Sequence, residues 1–237
     1  MTITSVLASL GTAVGICMAL SPIPTMRTIL SSKSIGEFSV FPYIVTFCQC
    51  LLWVAYALIT PGKLALLPVN VFIVVVEAVY CGIFIKYSSA DKLPALIKTI
   101  AIPLGVAIGA TLLSLLTPIP SKFVGFFAVL SNIIMYAAPL AVVKLVVETQ
   151  SVKYMPFLLS FVGTIASVIW TSWAVSSGDA FVLVPNALGI FLGFIQLAVY
   201  AKYRNSQEQS IRQYTTGSQE PDNITVDTSL IKLGEKV

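Results

Sequence analysis

Long apolar runs separated by short polar stretches make up most of this chain. A helix needs about 20 predominantly apolar residues to cross the hydrocarbon core of a bilayer. Seven runs reach that length, near residues 5–26, 40–60, 65–85, 95–116, 122–143, 155–176 and 180–201. The pattern therefore predicts an all-α membrane protein with seven transmembrane helices.

Particular residues recur along these runs at a nearly fixed offset. Trp53 and Trp170 are 117 positions apart, and Asn70 and Asn186 are 116 apart. Such self-similarity indicates two structural units of the same kind. Spans one to three form the first unit and spans five to seven the second, so the single fourth span leaves both units with the same polarity. The prediction is a 3+1+3 arrangement of parallel repeats about an axis along the membrane normal.

The repeat divides the chain into four parts. We predict a first three-helix bundle at 1–87, a linker helix at 88–118 and a second three-helix bundle at 119–203. The remaining segment, 204–237, is rich in Ser, Thr, Gln and Asn and has few bulky apolar residues. A segment of this composition cannot bury enough apolar surface to fold, so we expect a disordered cytosolic tail.

Composition and charge indicate the class of protein and its orientation. Apolar residues make up 57% of the chain and charged residues 10%, against roughly 45–50% and 25% in soluble domains. Of the 14 Lys and Arg residues, only Lys63 and Lys122 lie in the outer loops if the amino terminus is outside. The positive-inside rule therefore predicts an outside amino terminus. The net charge of +4 is explained by the basic residues of the predicted cytosolic loops and tail, so no nucleic-acid partner is expected.

The matched residues include polar side chains at membrane depth. A lone asparagine in a span usually bonds to a neighbouring helix, and aromatic residues often lie at the membrane interface. Asn70 and Asn186 are matched, however, and each has a matched tryptophan, Trp53 or Trp170, deeper than an interfacial belt requires. Asparagine both donates and accepts hydrogen bonds, and tryptophan offers a flat apolar face. We therefore predict that the two halves hold a small polar ligand between them.

The chain offers few residues for other chemistry. It has no histidine, and Glu77 is its only acidic residue well inside a span. An intramembrane carboxylate is a functional candidate by default, but Gly193 stands at the matched position, so a protonated or internally paired group is the alternative. The four cysteines lie in spans and are interpreted as packing residues. We expect no metal, no cofactor and no catalytic site; a receptor and a membrane-embedded enzyme are the rival classes to a transporter.

Prolines occupy matched places near the inner face. Pro22 and Pro139 are 117 apart and lie inside apolar runs, which predicts kinks or hinges because proline removes a helical hydrogen bond. Pro42 and Pro156 stand close to predicted helix starts, where membrane helices tolerate proline well. For this second pair, a hinge and a simple helix start remain equal alternatives.

Four stretches together carry a resemblance to a known family. They are Ser21-Pro22-Ile23-Pro24-Thr25 with Lys33-Ser34, Cys50-Leu51-Leu52-Trp53 with Tyr56, Ala138-Pro139-Leu140 with Ser151-Val152-Lys153-Tyr154-Met155-Pro156, and Val184-Pro185-Asn186. In these stretches the chain resembles the eukaryotic SWEET sugar transporters, over residues 5 to about 203. The resemblance implies a bidirectional facilitative sugar uniporter that works by alternating access.

The resemblance also implies roles for individual residues. The family's sugar pocket falls on Trp53, Asn70, Trp170 and Asn186, its inner gate on Pro22, Pro42, Pro139 and Pro156, and its outer gate on Tyr56 with Asp179. Four further pocket positions fall on Met18, Gln49, Met135 and Ala166. There the chain departs from the small residues associated with disaccharide carriers.

These departures bear on the cargo. Methionine is long and flexible and fills space, so Met18 and Met135, with Gln49, predict a short pocket that favours a hexose. A sucrose uniporter and a cation-coupled small-solute transporter are the alternatives; the lack of histidine favours passive transport. The expected partners are a small sugar and the lipid bilayer, with homo-oligomers left open. The expected location is the plasma membrane, with an endomembrane as the alternative.

Overall fold

Helices account for all the regular structure in the described part of the chain. The computed structural model describes residues 2–153 and 155–217, with the backbone alone at 205–217. The helices are α1 (Ile3–Leu20), α2 (Ile23–Ser32), α3 (Phe41–Ile59), α4 (Leu67–Tyr87), α5 (Leu93–Leu115), α6 (Pro120–Met135), α7 (Ala137–Thr149), α8 (Phe157–Ser177) and α9 (Ala180–Gly217). A 3-10 turn, Leu64–Leu66, precedes α4.

Seven of these units are long and apolar enough to cross a membrane. The pairs α1 with α2 and α6 with α7 each count as one span, and α3, α4, α5, α8 and α9 are the others. This confirms the predicted all-α architecture with seven membrane helices.

Both composite spans are broken next to the proline that the sequence singled out. Pro22 has no N–H to donate to the carbonyl of Met18, and α1 ends at Leu20. Pro139 likewise cannot bond to Met135, the last residue of α6. The chain resumes after each break as a shorter helix, α2 or α7. The predicted kinks are therefore confirmed, while their action as hinges stays a prediction.

The other two prolines begin helices. Pro42 is the second residue of α3, and Pro156 is the N-cap of α8. The first N–H groups of a helix have no intrahelical partner, so a proline there costs no hydrogen bond. The structure therefore agrees with the simple alternative for this pair.

The repeat is visible in the backbone as well as in the sequence. Lys33 and Gln150, which are 117 positions apart, end α2 and α7 in the left-handed conformation, with φ of 52° and 53°. Each break is also tied to the third span of its own half. The Tyr80 hydroxyl donates to the Ala19 carbonyl at 3.0 Å, and the Tyr136 hydroxyl donates to the Pro185 carbonyl at 2.7 Å.

Two seams join the halves. The α1/α8 seam is the contact of α1 with α8, and the α3/α6 seam is the contact of α3 with α6. The repeat relates one seam to the other, because α1 corresponds to α6 and α3 to α8. Helix α5 packs on α3 and α6, so it covers the α3/α6 seam alone. Its buried face consists largely of small residues such as Ala107 and Ala110, which let membrane helices approach closely.

The carboxyl-terminal helix is longer than predicted. Helix α9 continues to Gly217, so the first part of the predicted disordered tail, 204–217, is helical and that prediction is wrong there. The reason is local: Lys, Arg, Gln and Glu favour helices, and no proline or glycine interrupts residues 202–216. The rest of the predicted tail, 218–237, lies outside the described residues.

Candidate functional site

A cavity of about 570 Å³ lies between the two halves. That volume falls within the range of small-molecule sites, about 300–1,000 Å³. Eight of the lining residues are the pocket positions that the sequence proposed: Met18, Gln49, Trp53, Asn70, Met135, Ala166, Trp170 and Asn186. The fold thus gathers residues from α1, α3, α4, α6, α8 and α9 around one space.

The two matched asparagines are held in the same way. Asn70 Nδ2 donates to the Leu66 carbonyl, and Asn186 Nδ2 donates to the Val182 carbonyl, both at 2.8 Å and both four residues back along the helix. Each bond fixes the side chain but uses only one of its two N–H donors. A side-chain amide also carries an acceptor oxygen, so each asparagine keeps capacity for a ligand that both donates and accepts.

The two tryptophans are positioned by packing. Trp53 makes an edge-to-face contact with Tyr56, with ring centroids 5.6 Å apart, and Trp170 makes one with Trp173 at 5.8 Å. Trp170 also needs the glycine opposite it, because a Cβ on Gly11 would lie 2.7 Å from its Cε2 atom. Both indoles border the cavity, where a flat apolar face can cover the C–H groups of a ring.

The side chains expected to limit cargo size also border the cavity. Met18 and Met135 lie on its wall, close to the helix breaks. The Met18 methyl also reaches towards α8, 3.8 Å from where a Cβ on Gly163 would be. Met18 therefore contacts α8 and also lines the cavity.

One end of the cavity is closed by a polar cluster. We call it the closed end; α3 ends there at Ile59 and α9 begins there at Ala180. The Tyr56 hydroxyl donates to both carboxylate oxygens of Asp179 at 3.1 Å, so the residues of the predicted gate pair are in contact across the halves. Lys63 lies 3.2 Å from the same carboxylate and donates to the Ser177 carbonyl at 3.0 Å.

Lys63 was not among the predicted site residues. Its ammonium group is only partly exposed and lies 5.5 Å from the centre of the Trp173 ring, a cation–π distance. Reasoning from matched pairs missed it because Lys63 has no counterpart in the second half. One signal was available, since Lys63 is one of only two basic residues in the predicted outer loops.

The other end of the cavity is open. We call it the open end; the breaks in the composite spans face it, and the loop 33–40 and the described residues 150–153 lie beyond it. Pro22 and Pro42 line the cavity towards this end, together with Ser21, Tyr43 and Leu159. Pro139 and Pro156 are not among the lining residues, so only one member of each matched proline pair borders the space in this conformation.

A second amide contact crosses the halves midway along the cavity. Gln49 Nε2 donates to Asn132 Oδ1 at the α3/α6 seam, and both residues line the cavity. Sequence reasoning missed Asn132 because Gly15 occupies the matched position 117 residues earlier. An asparagine in mid-span was the signal that could have found it.

Glu77 also reaches the cavity wall. It is buried, and its Oε2 atom has no hydrogen-bond partner among the described residues. The alternative of an internally paired carboxyl is therefore not supported at that oxygen. The cysteines Cys48, Cys50 and Cys81 are buried as expected for packing residues, whereas Cys17 is on an exposed face of α1.

Comparison with known proteins connects this geometry with a family. A family model described as "Sugar efflux transporter for intercellular exchange" matches residues 5–92 and 122–208, two segments that leave out the whole of α5. "Bidirectional sugar transporter SWEET16" of Arabidopsis thaliana is 34% identical over 206 residues, with 84% of this chain and 88% of that protein covered. "Bidirectional sugar transporter SWEET7" of the same plant is 32% identical over 234 residues, with 96% and 90% covered.

A solved structure is similar as well. It is described as "The 3.7 A resolution structure of a eukaryotic SWEET transporter" and superimposes with a TM-score of 0.77 at 29% sequence identity. The match covers 86% of this chain and all of that one.

Proposed function

The chain belongs to the SWEET family of sugar transporters, and we propose that it is a facilitative uniporter that carries hexoses by alternating access. Membership makes it an integral membrane sugar transporter and excludes an enzyme. The observation that carries the finer proposal is the cavity itself. It is closed at one end by Tyr56, Lys63 and Asp179, open at the other, and lined between them by matched asparagines and tryptophans.

The lining fits a sugar chemically. Each sugar hydroxyl both donates and accepts hydrogen bonds, and Asn70 and Asn186 keep one donor and an acceptor available on two sides of the cavity. The apolar faces of Trp53 and Trp170 suit the C–H groups of the ring. A carrier must also release its cargo, so a millimolar dissociation constant, about −4 kcal/mol, is sufficient.

The size of the side chains that line the cavity favours a hexose over a disaccharide. Met18, Met135 and Gln49 all occupy the wall, and Ala166 alone leaves space at the corresponding position of its seam. Long side chains at three of four matched positions shorten the cavity. A sucrose uniporter remains the alternative, and direct comparison of the two sugars decides between them.

Passive transport follows from the groups that line the cavity. The chain has no histidine, and Glu77 is the one carboxyl group in the described lining. A relay that couples sugar to protons usually needs a chain of titratable groups across the membrane. Glu77 is the single observation that favours cation coupling, and the experiment below includes a proton gradient for that reason.

Sidedness and location complete the proposal. With the amino terminus outside, as the distribution of basic residues predicts, the closed end faces outwards and the cavity opens to the cytosol. We place the protein in the plasma membrane, with an endomembrane as the alternative that localisation of the tagged chain would reveal.

Uptake into liposomes tests the proposal. Purified protein reconstituted into liposomes should equilibrate radiolabelled glucose with the outside solution, at a higher rate than sucrose, and should never concentrate it. An imposed proton or sodium gradient should leave the final level unchanged. Accumulation above the outside concentration would identify a coupled transporter, and faster uptake of sucrose than of any hexose would refute the hexose preference. Liposomes prepared without protein give the background rate.

A further inference from the structure

The Gln49–Asn132 contact has no equivalent in the other half. At the matched positions of the α1/α8 seam stand Gly15 and Ala166, which have no side-chain hydrogen-bonding group. Asn70 and Asn186 are thus present in both halves, whereas the amide pair Gln49–Asn132 occurs at one seam only. A ligand that enters the cavity meets different chemistry at the two seams.

A backbone carbonyl sets the orientation of both amides. Asn132 Nδ2 donates to the carbonyl of Ala128 at 3.3 Å, one turn back along α6. A carbonyl oxygen can only accept, so the NH₂ group of Asn132 must face it and Oδ1 must face Gln49. Gln49 in turn must present its own NH₂ group to that oxygen, as it does. The remaining polar atom of the chain of contacts is therefore the Gln49 carbonyl oxygen, Oε1.

That oxygen has no donor. Gln49 Oε1 is shut off from solvent and makes no hydrogen bond to any described residue, although the Gln49 side chain itself is only half-buried and lines the cavity. A buried acceptor without a donor is unfavourable, and a small rotation of this half-buried side chain would turn Oε1 towards the cavity that the side chain lines. Asn70 and Asn186 supply both donors and acceptors to the cavity, whereas Gln49 adds an acceptor alone.

We propose that Gln49 accepts a hydrogen bond from one hydroxyl of the bound sugar, and that Asn132 is the positioning residue that turns the acceptor oxygen of Gln49, and not its NH₂ group, towards that hydroxyl. The inference rests on the proposed function of the cavity and adds to it a specificity determinant on one side. A sugar lacking that hydroxyl leaves Oε1 unpaired and binds more weakly. The sugar is thereby held in one preferred orientation at the α3/α6 seam.

Competition by deoxy sugars tests the proposal. Radiolabelled glucose uptake into liposomes is measured against each monodeoxy-D-glucose analogue, and the apparent inhibition constant of each analogue is divided by that of unlabelled glucose. In the wild type, the analogue lacking the hydroxyl that Gln49 binds should compete roughly tenfold less well than glucose, the usual effect of one lost hydrogen bond to a buried partner.

Two variants and a matched control make the result specific. Gln49→Met keeps the length of the side chain and removes the acceptor, and Asn132→Leu keeps Gln49 but removes the group that orients it. In both, the ratio for one and the same analogue should fall towards one, while the ratios for the other analogues stay as in the wild type. Val168→Ala, on an exposed face of α8 outside the cavity lining, should leave that ratio unchanged.

The outcomes separate the possible errors. A merely structural role at the seam would alter the affinity for all analogues alike, and that result would overturn the proposal. So would an unchanged ratio in both variants of a protein that transports glucose. If Gln49→Met is not recovered folded, Asn132→Leu gives the same readout. Absence of any hexose uptake by the wild type would instead refute the proposed function, and this inference with it.

Discussion

The two ends of the cavity differ in their chemistry. At the closed end a buried carboxylate, Asp179, gathers Tyr56 and Lys63 from the other half. At the open end the lining residues include Pro22 and Pro42, next to a helix break and a helix start. The comparison teaches that one end is held by specific polar contacts, whereas the other depends on the shape and bending of helices.

The proposed alternating access requires the closed end to open, and the contacts of Asp179 are compatible with that. The Asp179 carboxylate accepts hydrogen bonds from the N–H groups of Phe181 and Val182, both at 3.1 Å and both in its own half. These bonds remain when Tyr56 and Lys63 move away, so the charge is not left without partners. Ion pairs taken out of water also contribute little net stability, because desolvation offsets their attraction. Opening this end therefore costs modest free energy.

The largest expected effect concerns the sugar site in the cavity between the two ends. Asn186→Ala should lower glucose transport roughly 5- to 150-fold, the equivalent of about 1–3 kcal/mol for a lost buried partner. Under the proposed alternating access one site is exposed to each side in turn, so influx and efflux should fall by the same factor. Val184→Ala, on the exposed face of the same helix, is the matched control and should transport normally. Unchanged uptake by folded Asn186→Ala would remove this residue from the site.

A second prediction breaks the closed end. Asp179→Ala removes both cross-half contacts and the N-cap of α9, a cap that is worth about 0.5–2 kcal/mol. The closed conformation should become less populated. The measurement is labelling of Leu66→Cys, a buried cavity residue, by a membrane-impermeant thiol reagent from the amino-terminal side, in a Cys17→Ser background.

Labelling should be roughly tenfold faster when Asp179→Ala is combined with Leu66→Cys, which is the shift expected for about 1.4 kcal/mol. The protein without Leu66→Cys gives the background rate. Equal labelling with and without Asp179→Ala would mean that the polar cluster does not hold this end closed.

A third prediction compares prolines of the two kinds at the open end. Pro22→Ala restores a donor at the break between α1 and α2 and should straighten the span, slowing glucose exchange several-fold, roughly 3- to 10-fold. Pro42→Ala changes only a helix start and should stay within roughly twofold of the wild type. If Pro42→Ala is the more damaging of the two, the distinction between breaks and starts is wrong.

The smallest effect concerns cargo length. Replacing Met18 and Met135 by valine together should raise sucrose transport relative to glucose by roughly 2- to 5-fold, because valine is two atoms shorter along the side chain and leaves space of about one methylene group, worth about 0.8 kcal/mol. The ratio of initial uptake rates measures it. Because Met18 also contacts α8, the change in Met135 alone should account for more of the gain.

The sequence predicted what the repeat makes visible. Matched residues such as Asn70 and Asn186 stood out because the chain presents them twice, and the structure brings both to one cavity. Lys63 and Asn132 have no matched partner in the other half, so a search for matched pairs could not find them. Their contacts appear only in the folded structure, where Asn132 meets Gln49 between α6 and α3 and Lys63 meets Asp179 next to α9. The length of α9 was missed because polar composition was given more weight than helix propensity.

Distances across both ends measured in one protein test alternating access most directly. Spin labels at the matched, exposed pair Leu58→Cys and Val175→Cys report on the closed end, and labels at the matched, exposed pair Leu30→Cys and Val147→Cys report on the open end. Both pairs are introduced separately into the Cys17→Ser background in liposomes. When Asp179→Ala is added, or glucose is supplied, the first distance should shift to longer values and the second to shorter ones, in equal population. Distances that stay fixed, or that lengthen together at both ends, would contradict alternating access.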